Sequence, residues 1–244
     1  MQNLGHTRSS HQRNHLLQTP DTFIRAPLPG MENANAIIHV GPEAGARFTQ
    51  YTAEMQAGGR LGTTDVQRFV YVLEGGVAVE GYGPTEYLSA GGYAYFPDGT
   101  GQRLSATSSS RVAVIEKKYC AFAGVKRPAR LIGREEQVSS QALLGDPWLR
   151  VRTLLPDRLE FDFAVNTMTF DPGASLSLVE MHVMEHGLLM LEGGGIYRLG
   201  EYWYPVYAGD FIWMAPFCPQ WFGALGKVRA KYLIYKDWNR LGAT

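Results

Sequence analysis

Three side chains in the second half of the chain have the types and spacing to hold a metal ion. The run Val179-Glu180-Met181-His182-Val183-Met184-Glu185-His186-Gly187 puts Glu180, His182 and His186 at even spacing. Alternate residues of an extended strand project to one face, so Glu180 and His182 are expected to point together. His186 joins them if the strand continues or folds over a short turn. Two imidazoles and a carboxylate on one wall make the facial arrangement that binds divalent metals and leaves coordination positions open. Glu185, of odd parity, is expected to point away. One histidine on a strand usually serves packing, but two with a glutamate on one face are hard to explain that way. His6, His11, His15 and His39 have no partner at ligand spacing and are expected on the surface or in loops.

Such a wall needs a strand scaffold, and the chain reads as one. Residues 48–55, 68–73, 76–81, 92–96 and 111–116 are rich in β-branched and aromatic side chains, and so are 161–170, 177–182, 187–191, 195–199, 211–214 and 230–235. Only residues 137–144 hint at a helical period. Residues 1–20 read as an irregular arm. With 28 glycines and 13 prolines in 244 residues, the composition suits an all-β protein rich in tight turns. The 23 basic and 23 acidic residues cancel, which argues against the basic excess of a nucleic-acid binder. Cys120 and Cys218 are too few for a disulfide framework and read as buried free thiols. The N-terminal residues lack the apolar core of a secretory signal. No apolar run approaches the roughly 18 residues of a membrane helix. A cytoplasmic protein without nucleic-acid or membrane partners is expected.

The two strand series repeat each other. Val70-Tyr71-Val72-Leu73-Glu74-Gly75-Gly76 matches Leu188-Leu189-Met190-Leu191-Glu192-Gly193-Gly194 at an offset of 118, and Ala90-Gly91 matches Ala208-Gly209 at the same offset. Duplication gives two tandem β-barrels: residues 1–123 with the arm, a connection over 124–147, and residues 148–244. The same offset places Gly62, Thr64, Arg68 and Gln102 where Glu180, His182, His186 and Gln220 stand. A glycine offers no ligand and an arginine repels a cation, so one metal per chain is expected, in the second barrel.

The spacing Glu180-x-His182-x3-His186-x6-Gly193, followed by Gly209-x5-Ala215-Pro216-x3-Gln220, resembles the two cupin motifs with their ligand types permuted. The permuted set, with Glu185-His186-Gly187, resembles a bicupin family, the (S)-ureidoglycine aminohydrolases. Thr19-Pro20-Asp21, Leu28-Pro29-Gly30, Asp171-Pro172-Gly173-Ala174 and Tyr235-Lys236-Asp237 carry the resemblance over most of the chain. It implies an all-β bicupin fold: two tandem cupin barrels of the double-stranded β-helix, or jelly-roll, type.

It also implies a metal set of Glu180, His182, His186 and Gln220 holding Mn²⁺, one per chain. From the donor types alone Mn²⁺ and Fe²⁺ both fit, and the absence of thiolates weakens a structural zinc. Lys236 shares parity with Tyr232, and by composition alone it would pass for an exposed terminal lysine. The resemblance makes Lys236, Tyr197 and Tyr232 substrate contacts, with the Lys236 ammonium meeting a carboxylate. The implied reaction converts (S)-ureidoglycine to (S)-ureidoglycolate and ammonia in purine (allantoin) catabolism, a metal-dependent hydrolysis. Glu180 and Lys236 are the catalytic candidates, Glu180 doubling as proton acceptor for the attacking water, although metal binding lowers a carboxylate's basicity. The alternatives are another cupin enzyme, such as an Fe-dependent dioxygenase or isomerase, and a non-catalytic bicupin that binds small molecules. A homo-oligomer is expected, since bicupins often associate through strand edges.

Overall fold

Alternation of apolar and polar side chains sends one face of each strand into a core and leaves the backbone to pair sideways. In the computed structural model, which describes residues 6–81 and 83–240, nearly all regular structure is antiparallel strand, with three single-turn 3-10 segments. The chain divides into two compact units.

The N-terminal unit comprises Ile24–Val138 and Arg158–Asp162. Its central strands lie in the order Gly92–Phe96, Gln67–Glu74, Ser110–Lys117 and Thr49–Leu61. The 13-residue strand Thr49–Leu61 then passes to the second layer, Arg103–Ala106, Gly76–Glu80 and Glu86–Ser89. In register, Val70 and Val72 face Val114 and Val112, and these with Tyr51, Phe96 and Leu104 fill the interior. Each such burial contributes about 1.5–3 kcal/mol. Arg158–Asp162 belongs to this unit because buried Asp162 takes Lys117 Nζ at 2.7 Å, Gln67 Nε2 at 2.6 Å and the Cys120 amide at 2.9 Å.

The C-terminal unit comprises the described residues up to Phe23, Ser139–Asp157 and those from Phe163 onward. One sheet orders Phe211–Met214, His186–Glu192, Ala230–Lys236, Ala164–Phe170 and Asp146–Thr153 side by side. Tyr202–Tyr207, Gly194–Leu199 and Gln220–Ala224 form the other. Leu188, Met190, Ile234 and Tyr232 pack inward with Phe170 and Phe222, whose rings meet edge to face at 4.9 Å. The repeated Glu-Gly-Gly marks the same tight place in both units. Gly75 and Gly193 have φ of 75° and 63°, and a Cβ on either would stand 2.3 Å from a carbonyl oxygen, that of Ser109 or Arg229.

Several expectations need correction. The arm is not irregular beyond its first five residues, which lie outside the described ones. Ser10–Gln12 and His15–Gln18 form a hairpin whose second strand pairs with Phe211–Met214, so the arm belongs to the C-terminal unit rather than the N-terminal barrel. Arg8 fastens it through a two-pronged bond to buried Asp210, at 2.6 and 2.9 Å. Residues 124–147 are not a free connection: Leu131–Arg134 pairs with Gly92–Phe96, and Gln141–Leu143 with Asp146–Thr153. The helical hint at 137–144 resolves into a 3-10 turn ending at Gln137 and the strand Gln141–Leu143. Residues 177–182 form no strand; only Glu180 bridges, to Gln220. Cys120 is exposed, while Cys218 is buried. His15 and His39 are buried, bonded at 2.9 Å to the Tyr204 hydroxyl and at 2.8 Å to Thr52 Oγ1.

The repeat also slips once. Arg68 pairs with Glu116 in one unit, and His186 pairs with Lys236 in the other. The offset therefore grows from 118 on the middle strands, between Arg68 and His186, to 120 on the last, between Glu116 and Lys236.

Candidate metal centre

His186 opens its strand at the end of the C-terminal unit's interior face, on the parity of Leu188 and Met190. Its cross-strand neighbours are Met214 and Lys236. Glu180 and His182 come from the irregular segment before it, and backbone bonds rather than a strand hold that segment in place. Glu180 N and O each bond Gln220 at 2.8 Å, which puts the Glu180 and Gln220 side chains next to one another. The His182 carbonyl accepts from the Phe217 amide at 2.6 Å.

These ties bring all four expected ligands to one end of the unit. His182 and His186 rings meet at 5.2 Å between centroids, nearly perpendicular. His182 Nε2 stands 3.1 Å from Glu180 Oε2. The Tyr197 hydroxyl donates to Gln220 Oε1 at 2.9 Å, leaving that oxygen its second lone pair. His186 and Gln220 are buried, whereas the Glu180 and His182 side chains remain 24% and 32% exposed, so the site is open on one side.

Burial, reinforced by the nearby His182 and Lys236 side chains, pushes the His186 pKa down to about 3. The ring is then neutral at ordinary pH, as a metal ligand must be. Its Nδ1 is buried without a hydrogen-bond partner, an orphan that a cation would satisfy. Among the described residues, no three His, Cys, Asp or Glu side chains are gathered in a finished metal cage. Glu180 and His182 bond each other instead, and the fourth candidate is an amide. The donor set of two imidazoles, a carboxylate and a carboxamide oxygen, with one ligand nitrogen orphaned, fits a divalent cation.

Lys236 lies opposite His186 on the interior parity of Tyr232 and Ile234. With its amide turned to satisfy both ends, Asn166 accepts from Lys236 Nζ at 3.0 Å and donates to Val165 O at 3.0 Å. The ammonium also sits 5.7 Å from the Trp238 ring centre. Burial lowers the Lys236 pKa, opposed by the negative charges of Asp157 and Glu180. Tyr197 and Tyr232 are almost fully buried, and burial raises both phenols above the ordinary range. Glu185 points elsewhere, accepting from Trp213 Nε1 at 3.0 Å. Asn166 and Trp238 escaped the sequence reading. Asn166 left a usable signal, a polar residue on the inward parity of Met168 and Phe170.

At the matching place in the N-terminal unit, Arg68 is buried and ion-paired to Glu116 at 2.6 Å. Gly62 has no room for a side chain, because a Cβ there would meet Gly30 O at 2.8 Å.

Comparison with known proteins agrees with this architecture. Residues 42–119 match the EutQ-like cupin domain family. The E. coli protein Ylba has a solved structure that superposes with a TM-score of 0.86 at 30% identity, covering 98% of this chain and 97% of that one. The putative glyoxylate induced protein of Pseudomonas aeruginosa superposes at 0.88 with 28% identity, covering 97% and 93%. An Arabidopsis thaliana protein named (S)-ureidoglycine aminohydrolase is 40% identical over 241 residues, 97% of this chain and 80% of that protein. With that identity sustained along almost the whole sequence, and a bicupin fold to match, the chain belongs to the (S)-ureidoglycine aminohydrolase family.

Proposed function

We propose that this chain is an Mn²⁺-dependent (S)-ureidoglycine aminohydrolase whose reaction takes place at the open end of the C-terminal unit. The activity follows from the family: the chain converts (S)-ureidoglycine in purine (allantoin) catabolism. Water replaces the substrate's amine, giving (S)-ureidoglycolate and ammonia. One observation carries the assignment to this site. The orphaned His186 nitrogen and the Lys236 ammonium sit on opposite strands at one register position, flanked by Glu180, His182 and Gln220.

Glu180, His182, His186 and Gln220 would hold the metal. A divalent cation bound there supplies Lewis acidity and a fixed positive charge for the reacting centre. The chain's own groups do the rest. Lys236, partly freed of water by burial, neutralises the substrate carboxylate and fixes which face of the carbon meets water. Tyr197 keeps the Gln220 carboxamide oriented through its 2.9 Å bond. Tyr232 packs against the touching Phe170 and Phe222 rings and closes the floor with apolar surface. Glu180 is exposed enough to meet water and is the proton acceptor of this reading.

The experiment is ammonia release from enzymatically generated ureidoglycine, with and without chelator, alongside metal analysis of the purified chain. Chelator-sensitive acceleration with Mn²⁺ near one per chain is expected; no acceleration over spontaneous decay would sink the activity. If Glu180→Gln retains full turnover with metal bound, the proton-acceptor role is wrong. Self-association belongs to the same proposal. Leu178, Met181, Val183 and Phe217 expose large apolar side chains, which supports it, and light scattering of the eluted protein tests it. No helix among the described residues is long and apolar enough to cross a membrane. A cytoplasmic location is proposed with the rest and is tested by fractionation.

A further inference from the structure

The N-terminal unit puts a charge pattern of its own where the C-terminal unit has its ligands. Arg68 occupies the His186 position and Glu116 the Lys236 position, so the last-strand charge is inverted between the two units. The guanidinium is 5% exposed, and its charge is answered within the unit. Nε donates to Glu116 Oε1 at 2.7 Å, Nη2 lies 2.6 Å from the same oxygen, and Nη1 donates to Gly62 O at 2.8 Å. The Tyr51 hydroxyl also donates to Glu116 Oε1, at 3.2 Å. All these bonds converge on one carboxylate oxygen. A guanidinium has five N–H donors, so two are left over. Glu116 Oε2 takes part in none of the bonds.

Beside this pair lies a cavity of about 180 Å³ lined by Arg68, Glu116, Tyr51, Thr63, Thr64 and Met31, among others. At roughly 30 Å³ per water it holds about six waters or one small organic molecule. The leftover groups on these two lining residues are N–H donors and a carboxylate acceptor. We propose that this cavity is a second, metal-free binding site for the ureido or carboxamide head of a neutral small molecule. The carbonyl oxygen takes the free guanidinium N–H groups, and the amide N–H donates to Glu116 Oε2. A carboxylate is disfavoured, because Arg68 is already neutralised and Glu116 stands where Lys236 would have welcomed it. The site shares no residue with the metal centre, so the two readings stand or fall separately.

The test is saturation-transfer NMR on the full chain with two probes, N-methylurea and acetate. N-methylurea is expected to bind with a millimolar Kd, the usual range for so small a fragment, and acetate to show no transfer. Binding should survive chelator and the Lys236→Met variant. Arg68→Met removes the donors, but the variant risks misfolding. Thr63→Trp fills the exposed rim of the cavity and leaves the ion pair intact; it should weaken N-methylurea about tenfold or more. It should also leave ammonia release unchanged. No transfer at tens of millimolar N-methylurea, acetate binding as well as N-methylurea, or binding lost in Lys236→Met but kept in Thr63→Trp would each overturn the proposal.

Discussion

Replacing Lys236 by methionine separates a substrate-binding lysine from a structural one, because the two roles move activity and stability in different ways. The Lys236 side chain is half-buried, desolvation lowers its pKa, and its ammonium bonds the Asn166 amide. Methionine has a similar length and no charge to desolvate, so the substitution relieves a burial cost while leaving one Asn166 oxygen without its donor. Those effects are of opposite sign and about 1 kcal/mol each, a net change of a few degrees in Tm for a chain of this size. Activity should behave otherwise. A charge-assisted hydrogen bond to the substrate carboxylate is worth about 1.5–3 kcal/mol, which is about 10- to 150-fold in kcat/KM. The assay is the initial rate of ammonia release, corrected for spontaneous decay, beside a thermal melt. Wild type should also lose kcat/KM as pH rises through the lowered Lys236 pKa, below the free-lysine value of 10.5, and the variant should lack that limb. A variant within about twofold of wild type, or one whose activity loss merely follows a collapse of Tm, would refute the argument.

Other substitutions test the remaining contacts. His186→Ala should retain the strand content seen by circular dichroism while its metal content, measured by mass spectrometry after dialysis, falls well below one per chain. His39 is buried neutral, with burial holding its pKa at about 3 against 6.5 for the free group. The unfolded chain therefore binds the extra proton first, and this contribution to stability is complete above pH 6.5 and is lost as pH falls toward 3. Between pH 7 and 4.5 the loss is about 2–3 kcal/mol, and His39→Gln should not show that part of it in urea titrations. Arg8→Ala leaves the buried Asp210 carboxylate with the Tyr207 amide at 2.8 Å as its one remaining donor among the described residues, and should cost about 1–3 kcal/mol in the same titration.

Much of this fold was legible because its strands are buried on the face that carries the pattern. Gly92–Phe96 and Phe211–Met214 appear at the bounds read from sequence, and the Glu-Gly-Gly repeat marks the same positive-φ turn in both units. Met31–Val40 was missed because it has one full strand neighbour, Thr49–Leu61, with a lone bridge from Ala36 to Ala26 on its other edge, and keeps polar residues along its first half, so it never shows a two-sided apolar signature. Residues 177–182 misled in the opposite direction. Leu178, Val179 and Met181 look like strand core but face outward, and the segment owes its position to backbone bonds with Gln220 and Phe217. Parity brought Glu180 and His182 together on paper. Backbone pairing with Gln220 holds them there in the fold, and no side-chain pattern encodes such pairing. The partners of Lys236 stayed hidden for other reasons: Asn166 comes from the distant strand Ala164–Phe170, and Trp238, though only two residues on, lies past the strand's end, where alternation no longer says which way a side chain points.

The longer turn before the last strand shows how these barrels can diverge. The turn before Ala230–Lys236 carries two residues more than its counterpart before Ser110–Lys117. Both turns nonetheless deliver the next strand in one register, Glu116 opposite Arg68 and Lys236 opposite His186, so the two extra residues are taken up within the turn and no strand side chain is displaced. A one-residue slip of the strand itself would instead send Lys236 to the outside and bring Tyr235 in. The turn can therefore vary in length while the sheet holds the register, and the charge opposite the metal site changes only when the residue at that register position is itself replaced. Shortening residues 225–229 by two, to the length of the N-terminal turn, should leave Lys236 opposite His186 and the rate of ammonia release intact.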